Sequence, residues 1–255
     1  MCNRCIAENI DPASVHSSPD DSQRRRFLNT GALAMAAPWT MGAAMAATPK
    51  GSGSAPPINA IPPAEALKRL MAGNARYAAN KPANRDFSAG RLARTSAQFP
   101  IAAVLSCADS RLAPELAFDQ GNGELFVLRV AGNFMTPAFL SSLEFGVAVL
   151  GIPLIMVLGH SNCGAVAATI RSADSNAAML PGHIQDLVTA IKPAVVRAQA
   201  GSGKTLLERS IVENVKLQME AMATKPSLVK DAIDAKTVQV VGAVYDLASG
   251  KVTLV

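Results

Sequence analysis

Three short apolar runs constrain this chain more than any other feature: Ile101–Leu105 after Pro100, Leu125–Val130, and Leu154–Leu158. Each has the length of a buried strand and is too short for a core helix. Helical patterns stand between and around them. Ala64–Asn80 puts Leu67, Leu70 and Met71 on one face behind a Pro62-Pro63 start, and Pro137–Leu150 does the same with Leu140, Leu143 and Val147. Further helices are expected from Cys163 through Ile170, over Ile184–Gln199 and over Leu206–Ala223. Strands are expected over Thr237–Leu247 and Lys251–Val255, around a Ser249-Gly250 turn. Strands separated by helices imply an α/β fold, with a mostly parallel central β-sheet flanked by helices.

In such sheets ligands bind outside the carboxyl ends of the strands. Cys107 and His160 each fall just after a predicted strand, in the motifs Cys107-Ala-Asp109-Ser110-Arg111 and His160-Ser-Asn-Cys163. Two thiols and one imidazole make three ligands of the kind Zn²⁺ prefers, and three protein ligands leave a tetrahedral position open, as in a catalytic site. An acid, Asp109, and a base, Arg111, sit beside the first thiol. The competing readings are a structural disulfide between Cys107 and Cys163, two buried thiols serving as small apolar groups, and a purely structural Asp109–Arg111 ion pair.

The amino-terminal stretch reads as a leader. Arg24-Arg-Arg-Phe-Leu28 matches the twin-arginine export signal, Gly31–Ala47 is uncharged and short for a bilayer span, and Ala44-Met-Ala46 is a cleavage site of the A-x-A kind. The expected organisation is a signal peptide over 1–46, a Gly/Ser/Pro-rich tether over 47–63 and one catalytic domain over 64–255. The precursor would engage the twin-arginine machinery, the mature protein would be periplasmic or otherwise exported, and no stable membrane span would remain. An uncleaved anchor is the alternative. Cys2 and Cys5 lie in the leader, so the mature chain would hold only Cys107 and Cys163.

Other features carry less. A net charge of +5 with dispersed basic residues and 4% aromatics points to a solvated surface and no nucleic-acid partner. Charged residues are only 17% of the chain, consistent with surface buried in an oligomer. His183 stands in no ligand motif and reads as a surface or helix-start histidine. Gly201-Ser-Gly203-Lys204-Thr205 is similar to the end of a phosphate loop, but Ala198 replaces the required glycine and a helix precedes it, so it reads as an interhelical turn.

At these residues the chain resembles the β-class carbonic anhydrases. The resemblance runs through Leu70-Met-Ala-Gly73-Asn74-Ala-Arg76-Tyr77, the Cys107 motif, Arg129-Val-Ala131-Gly132-Asn133, Ser142-Leu143-Glu144-Phe145, Gly159-His160 to Ala165, and Val241–Asp246 with Gly250-Lys251-Val252. It implies one Zn²⁺ per chain on Cys107, His160 and Cys163, and a homodimer or a tetramer built from dimers. It also implies reversible hydration of carbon dioxide to bicarbonate and a proton by zinc-activated water. Asp109 and Arg111 would be catalytic, Arg111 holding Asp109 ionised and aimed. The family also has closed forms in which this carboxylate ligates zinc, so Asp109 is a fourth candidate metal ligand. Hydrolysis of a related small molecule such as carbon disulfide, or a non-catalytic zinc-stabilised binding role, are the alternatives.

Overall fold

β1 (Ala102–Ser106) and β3 (Leu154–His160) are buried at every residue, as the centre of a sheet covered on both faces requires. The computed structural model describes residues 59–173 and 180–255. Within them the sheet has five strands in the order β2-β1-β3-β4-β5, with β2 at Leu125–Arg129, β4 at Gln239–Tyr245 and β5 at Val252–Leu254. The first four strands are parallel and β5 returns antiparallel on β4, with Tyr245 opposite Val252. The α/β expectation is met. The stretch expected as a leader, with Cys2, Cys5 and Ala44-Met-Ala46, lies outside the described residues.

Alternation along the strands sorts side chains into two layers. Ala102, Val104, Leu154, Met156, Leu158 and Ala243 face α1 (Pro63–Ala78) and the short α2 (Pro114–Ala117), where they meet Ala66, Leu70 and Phe118. Ala103, Leu105, Ile155 and Val157 face α3 (Pro137–Ala148), α6 (Leu206–Thr224) and α7 (Leu228–Asp234), against Leu143, Val215, Met222 and Val229. A third cluster gathers at the carboxyl end of the sheet. Val166 of α4 (Gly164–Arg171), Ile191 and Val195 of α5 (Ile184–Gln199), and Ile211 of α6 pack there around Cys107 and Cys163.

Several boundaries differ from expectation for local reasons. β3 runs on through His160, because its pairing with β4 continues to His160 opposite Tyr245. β4 stops at Tyr245, two residues short of Leu247: the Asp246 carboxylate accepts from the Ser249 N–H at 2.8 Å and turns the chain. The packed body also reaches back into the stretch expected as tether. Asn59 is buried and donates to Leu150 O at 2.7 Å, and Ile61 packs on the α1 layer. α2 and α7 were not foreseen; four and seven residues are too short to show a helical period.

Candidate metal centre

Cys107 is the first residue beyond β1, and its backbone is tied to the neighbouring strand end: Val130 N donates to Ser106 O, and Ala108 N donates to Val130 O, each at 3.2 Å. Arg129, at the end of β2, donates from Nε to Cys107 O at 3.0 Å and from one terminal nitrogen to both Asp109 O and Leu112 O at 2.7 Å. One guanidinium therefore holds three carbonyls of the Cys107–Leu112 loop. His160 ends β3 two strands' width away in sequence but adjacent in the sheet. Asn162, in the left-handed region at φ 55°, turns the chain so that Cys163 caps α4 beside it.

The three predicted ligands converge. The Cys107 and Cys163 sulfurs and a His160 ring nitrogen all lie within 4.8 Å of one another, and all three residues are buried. Both thiols are free, which removes the disulfide reading. His160 Nδ1 lies 2.9 Å from Ser161 O, an acceptor, so it carries the ring proton and Nε2 is left as a lone-pair donor. Nε2 is buried with no hydrogen-bond partner. A buried, unpaired imidazole nitrogen costs free energy unless a cation takes its lone pair.

The thiols tell the same story. Cys107 is drawn down to about 4, chiefly by its hydrogen bond with Cys163, helped by His160 and the Gly132 N–H and opposed by burial. Cys163 is pushed up by that same hydrogen bond and by burial, with the Val166 and Ala165 N–H groups at the start of α4 pulling the other way. Charge on the Cys107 sulfur disfavours charge on Cys163. A divalent cation is what allows both to be thiolates. The donor set of two sulfurs and one nitrogen therefore fits Zn²⁺ and leaves one tetrahedral position open.

Asp109 stands beside this group and not in it. Arg111 grips it in a two-pronged pair, Nε to Oδ1 at 2.9 Å and a terminal nitrogen to Oδ2 at 2.7 Å, and the Arg111 backbone N–H adds a third bond at 3.0 Å. That pair holds the carboxyl well below the usual carboxylate range. Asp109 Oδ2 is still only 3.8 Å from His160 Nε2, so the carboxylate borders the open side of the ligand triangle. Of the two arrangements the sequence left open, this structure adopts the one with Asp109 held by Arg111. As a fourth metal ligand Asp109 is not placed, because Arg111 engages both of its oxygens.

The minor expectations also resolve. His183 is fully exposed at the start of α5, its Nδ1 3.2 Å from Asp186, and takes no part in the site. The Gly201–Thr205 segment is the turn between α5 and α6, ending in a reciprocal cap between Thr205 and Glu208. Sequence reasoning missed the supporting roles: Arg129 and Ser161 were legible only as members of family motifs, and Asn214 carried no signal at all.

A mostly parallel α/β sheet with a Cys-His-Cys triangle at its carboxyl edge defines a zinc-site protein of the class that the motifs suggest. The sequence model of the carbonic anhydrase family matches residues 102–252, and the chain belongs to that family. It is 37% identical over 193 residues to a carbonic anhydrase of Mycolicibacterium smegmatis, covering 75% of this chain and 93% of the relative. Carbonic anhydrase 2 of Mycobacterium tuberculosis is 36% identical over 194 residues, covering 75% and 92%. Among solved structures, a tetrameric β-carbonic anhydrase of Sordaria macrospora superposes with TM-score 0.58 at 19% identity, covering 75% of this chain and 97% of its own. A Coccomyxa β-carbonic anhydrase in complex with acetazolamide gives 0.56 at 24%, covering 75% and 82%. The fold is that of the β class.

Proposed function

We propose that this chain catalyses the zinc-dependent, reversible hydration of carbon dioxide to bicarbonate and a proton. The observation that carries the reading is the buried Cys107–His160–Cys163 triangle with the Asp109–Arg111 pair on its open side. Its relatives are named carbonic anhydrases.

Cys107, His160 through Nε2, and Cys163 would hold the metal. Bound there, zinc would supply Lewis acidity, making water a nucleophile near neutral pH. The chain's own residues then divide the remaining work. Asp109, kept ionised by Arg111, accepts a hydrogen bond from the attacking water and fixes its orientation toward the carbon. Arg111 holds that carboxylate away from the ligand triangle. The Ser161 carbonyl fixes the His160 tautomer, and Arg129 fixes the loop that carries both Cys107 and Asp109. Each cycle releases one proton, which must pass to buffer.

Two wider readings accompany this one. A homodimer or tetramer is supported by the tetrameric fold relative and by exposed Leu116, Phe145 and Val149 on the described surface. Export through the twin-arginine route is supported by Arg24–Leu28 and the Ala44-Met-Ala46 motif alone. No described helix is long and apolar enough to cross a membrane. The deciding experiment is carbon dioxide hydration by the purified chain from Ala47, with zinc measured on the same sample. About one zinc per chain with turnover supports the reading; full zinc without turnover at any pH overturns it.

A further inference from the structure

Asn214 and Gln218 lie one helical turn apart on α6 and are 1% and 5% exposed, two amides carried into the interior. Burying an amide is costly unless it is bonded, so their bonds show what they hold. Asn214 Nδ2 donates to Gly132 O at 2.8 Å. Gln218 Nε2 donates back to Asn214 Oδ1 at 3.3 Å, and Gln218 Oε1 accepts from Met135 N at 2.9 Å. The two amides thus grip the turn after β2 at two points three residues apart.

That turn needs a glycine at its first held point. Gly132 sits at φ +84°, and a Cβ there would come within 2.4 Å of Ile191 Cδ1 and 3.1 Å of Ala165 Cβ. With the Gly132 carbonyl and the Met135 N–H both held, the turn presents the Gly132 N–H to Cys107 Sγ, to which it donates at 3.2 Å. An N–H bond to a metal thiolate withdraws electron density from the sulfur, and such outer contacts tune both affinity and electronics of a site.

We propose that Asn214, braced by Gln218, is a positioning residue of the metal centre: it keeps the Gly132 N–H on the Cys107 sulfur and so sets how strongly that sulfur donates to the ion. The proposal rests on Cys107 being a metal ligand. It makes α6, which contributes no ligand, part of the site's electronic control.

The test is the near-ultraviolet sulfur-to-metal absorption of the cobalt(II)-loaded chain from Ala47, together with zinc affinity by chelator competition. Four proteins are compared: unsubstituted, Asn214→Leu, Gln218→Met, and Met222→Ala, the last a buried α6 residue outside the amide pair. Asn214→Leu should move the band to longer wavelength, because the sulfur then donates more strongly, and weaken zinc roughly tenfold, because the turn beside the ligand loses its brace. Gln218→Met should do the same to a smaller degree, while Met222→Ala lowers the melting temperature and leaves the band in place. A band and affinity in Asn214→Leu matching those of Met222→Ala would overturn the proposal. Should Asn214→Leu fail to fold, Gln218→Met decides on the same reading. An unsubstituted protein with no sulfur-to-cobalt band would overturn the metal centre itself, and this proposal with it.

Discussion

Arg111 is more than half exposed, yet it determines where the Asp109 carboxylate points. Ion pairs at such exposure contribute little to stability. Its removal should therefore cost function and not folding. Arg111→Ala is expected to keep about one zinc per chain and a wild-type melting temperature while losing on the order of 100-fold in turnover. Unchanged turnover in the zinc-loaded variant would remove the role assigned to the pair. Cys163→Ser is expected to do the opposite: it takes away a ligand, so zinc content should fall well below one per chain whatever the activity. Both motifs were readable residue by residue, because Cys107, Asp109 and Arg111 fall within five positions and His160 and Cys163 within four. The alternative roles of Asp109 were not. A carboxylate can reach either the arginine or the metal from the same backbone, and only the side-chain geometry chooses.

Elements carry the next set of consequences. The turn before α6 is closed by Thr205 and Glu208, which exchange bonds between side chain and backbone. Thr205→Ala should cost about 1 kcal/mol in denaturant unfolding, with zinc content unchanged. A loss of zinc would mean that the turn does more than start a helix. Ten-residue and longer elements were legible through their period: α5 and α6 lie where the spacing of apolar residues puts them, within a residue. α2 and α7 were invisible because they are shorter than two turns. The ends of β3 and β4 were misplaced because strand ends are decided by partners. His160 remains in register with Tyr245 across the sheet, and no pattern within either strand says so.

The whole molecule couples the two faces of the sheet to this edge. Tyr245, opposite His160, is buried with its hydroxyl 3.1 Å from that of Tyr77, and burial together with that neighbour pushes its hydroxyl up to about 12 from an ordinary value of 10.0. A raised value in the fold means the stabilisation is complete below pH 10 and is lost as pH rises toward 12. Relative to Tyr245→Phe, the natural protein should lose roughly 1 kcal/mol of unfolding free energy between pH 9 and 11, measured by urea titration. A constant gap would show that the two hydroxyls are not coupled as the structure has them. Metal removal acts at the same scale. Chelation should lower the melting temperature by more than about 5 °C and leave a folded sheet, since the strand cores do not include the ion.

By itself the amino-acid sequence determined which groups could bind metal and on what kind of scaffold. Soft ligands are few in this chain, and apolar runs of five or six residues are too short to be core helices. It did not determine the support behind those ligands. Arg129 reaches three carbonyls, Ser161 presents one to His160, and Asn214 crosses from a helix more than 80 residues away to hold Gly132. Those bonds join backbone groups, which every residue carries, to side chains that look ordinary in isolation. Only packing α6 against the carboxyl end of the sheet brings them within reach of the metal edge, and for that reason only the tertiary structure decided them.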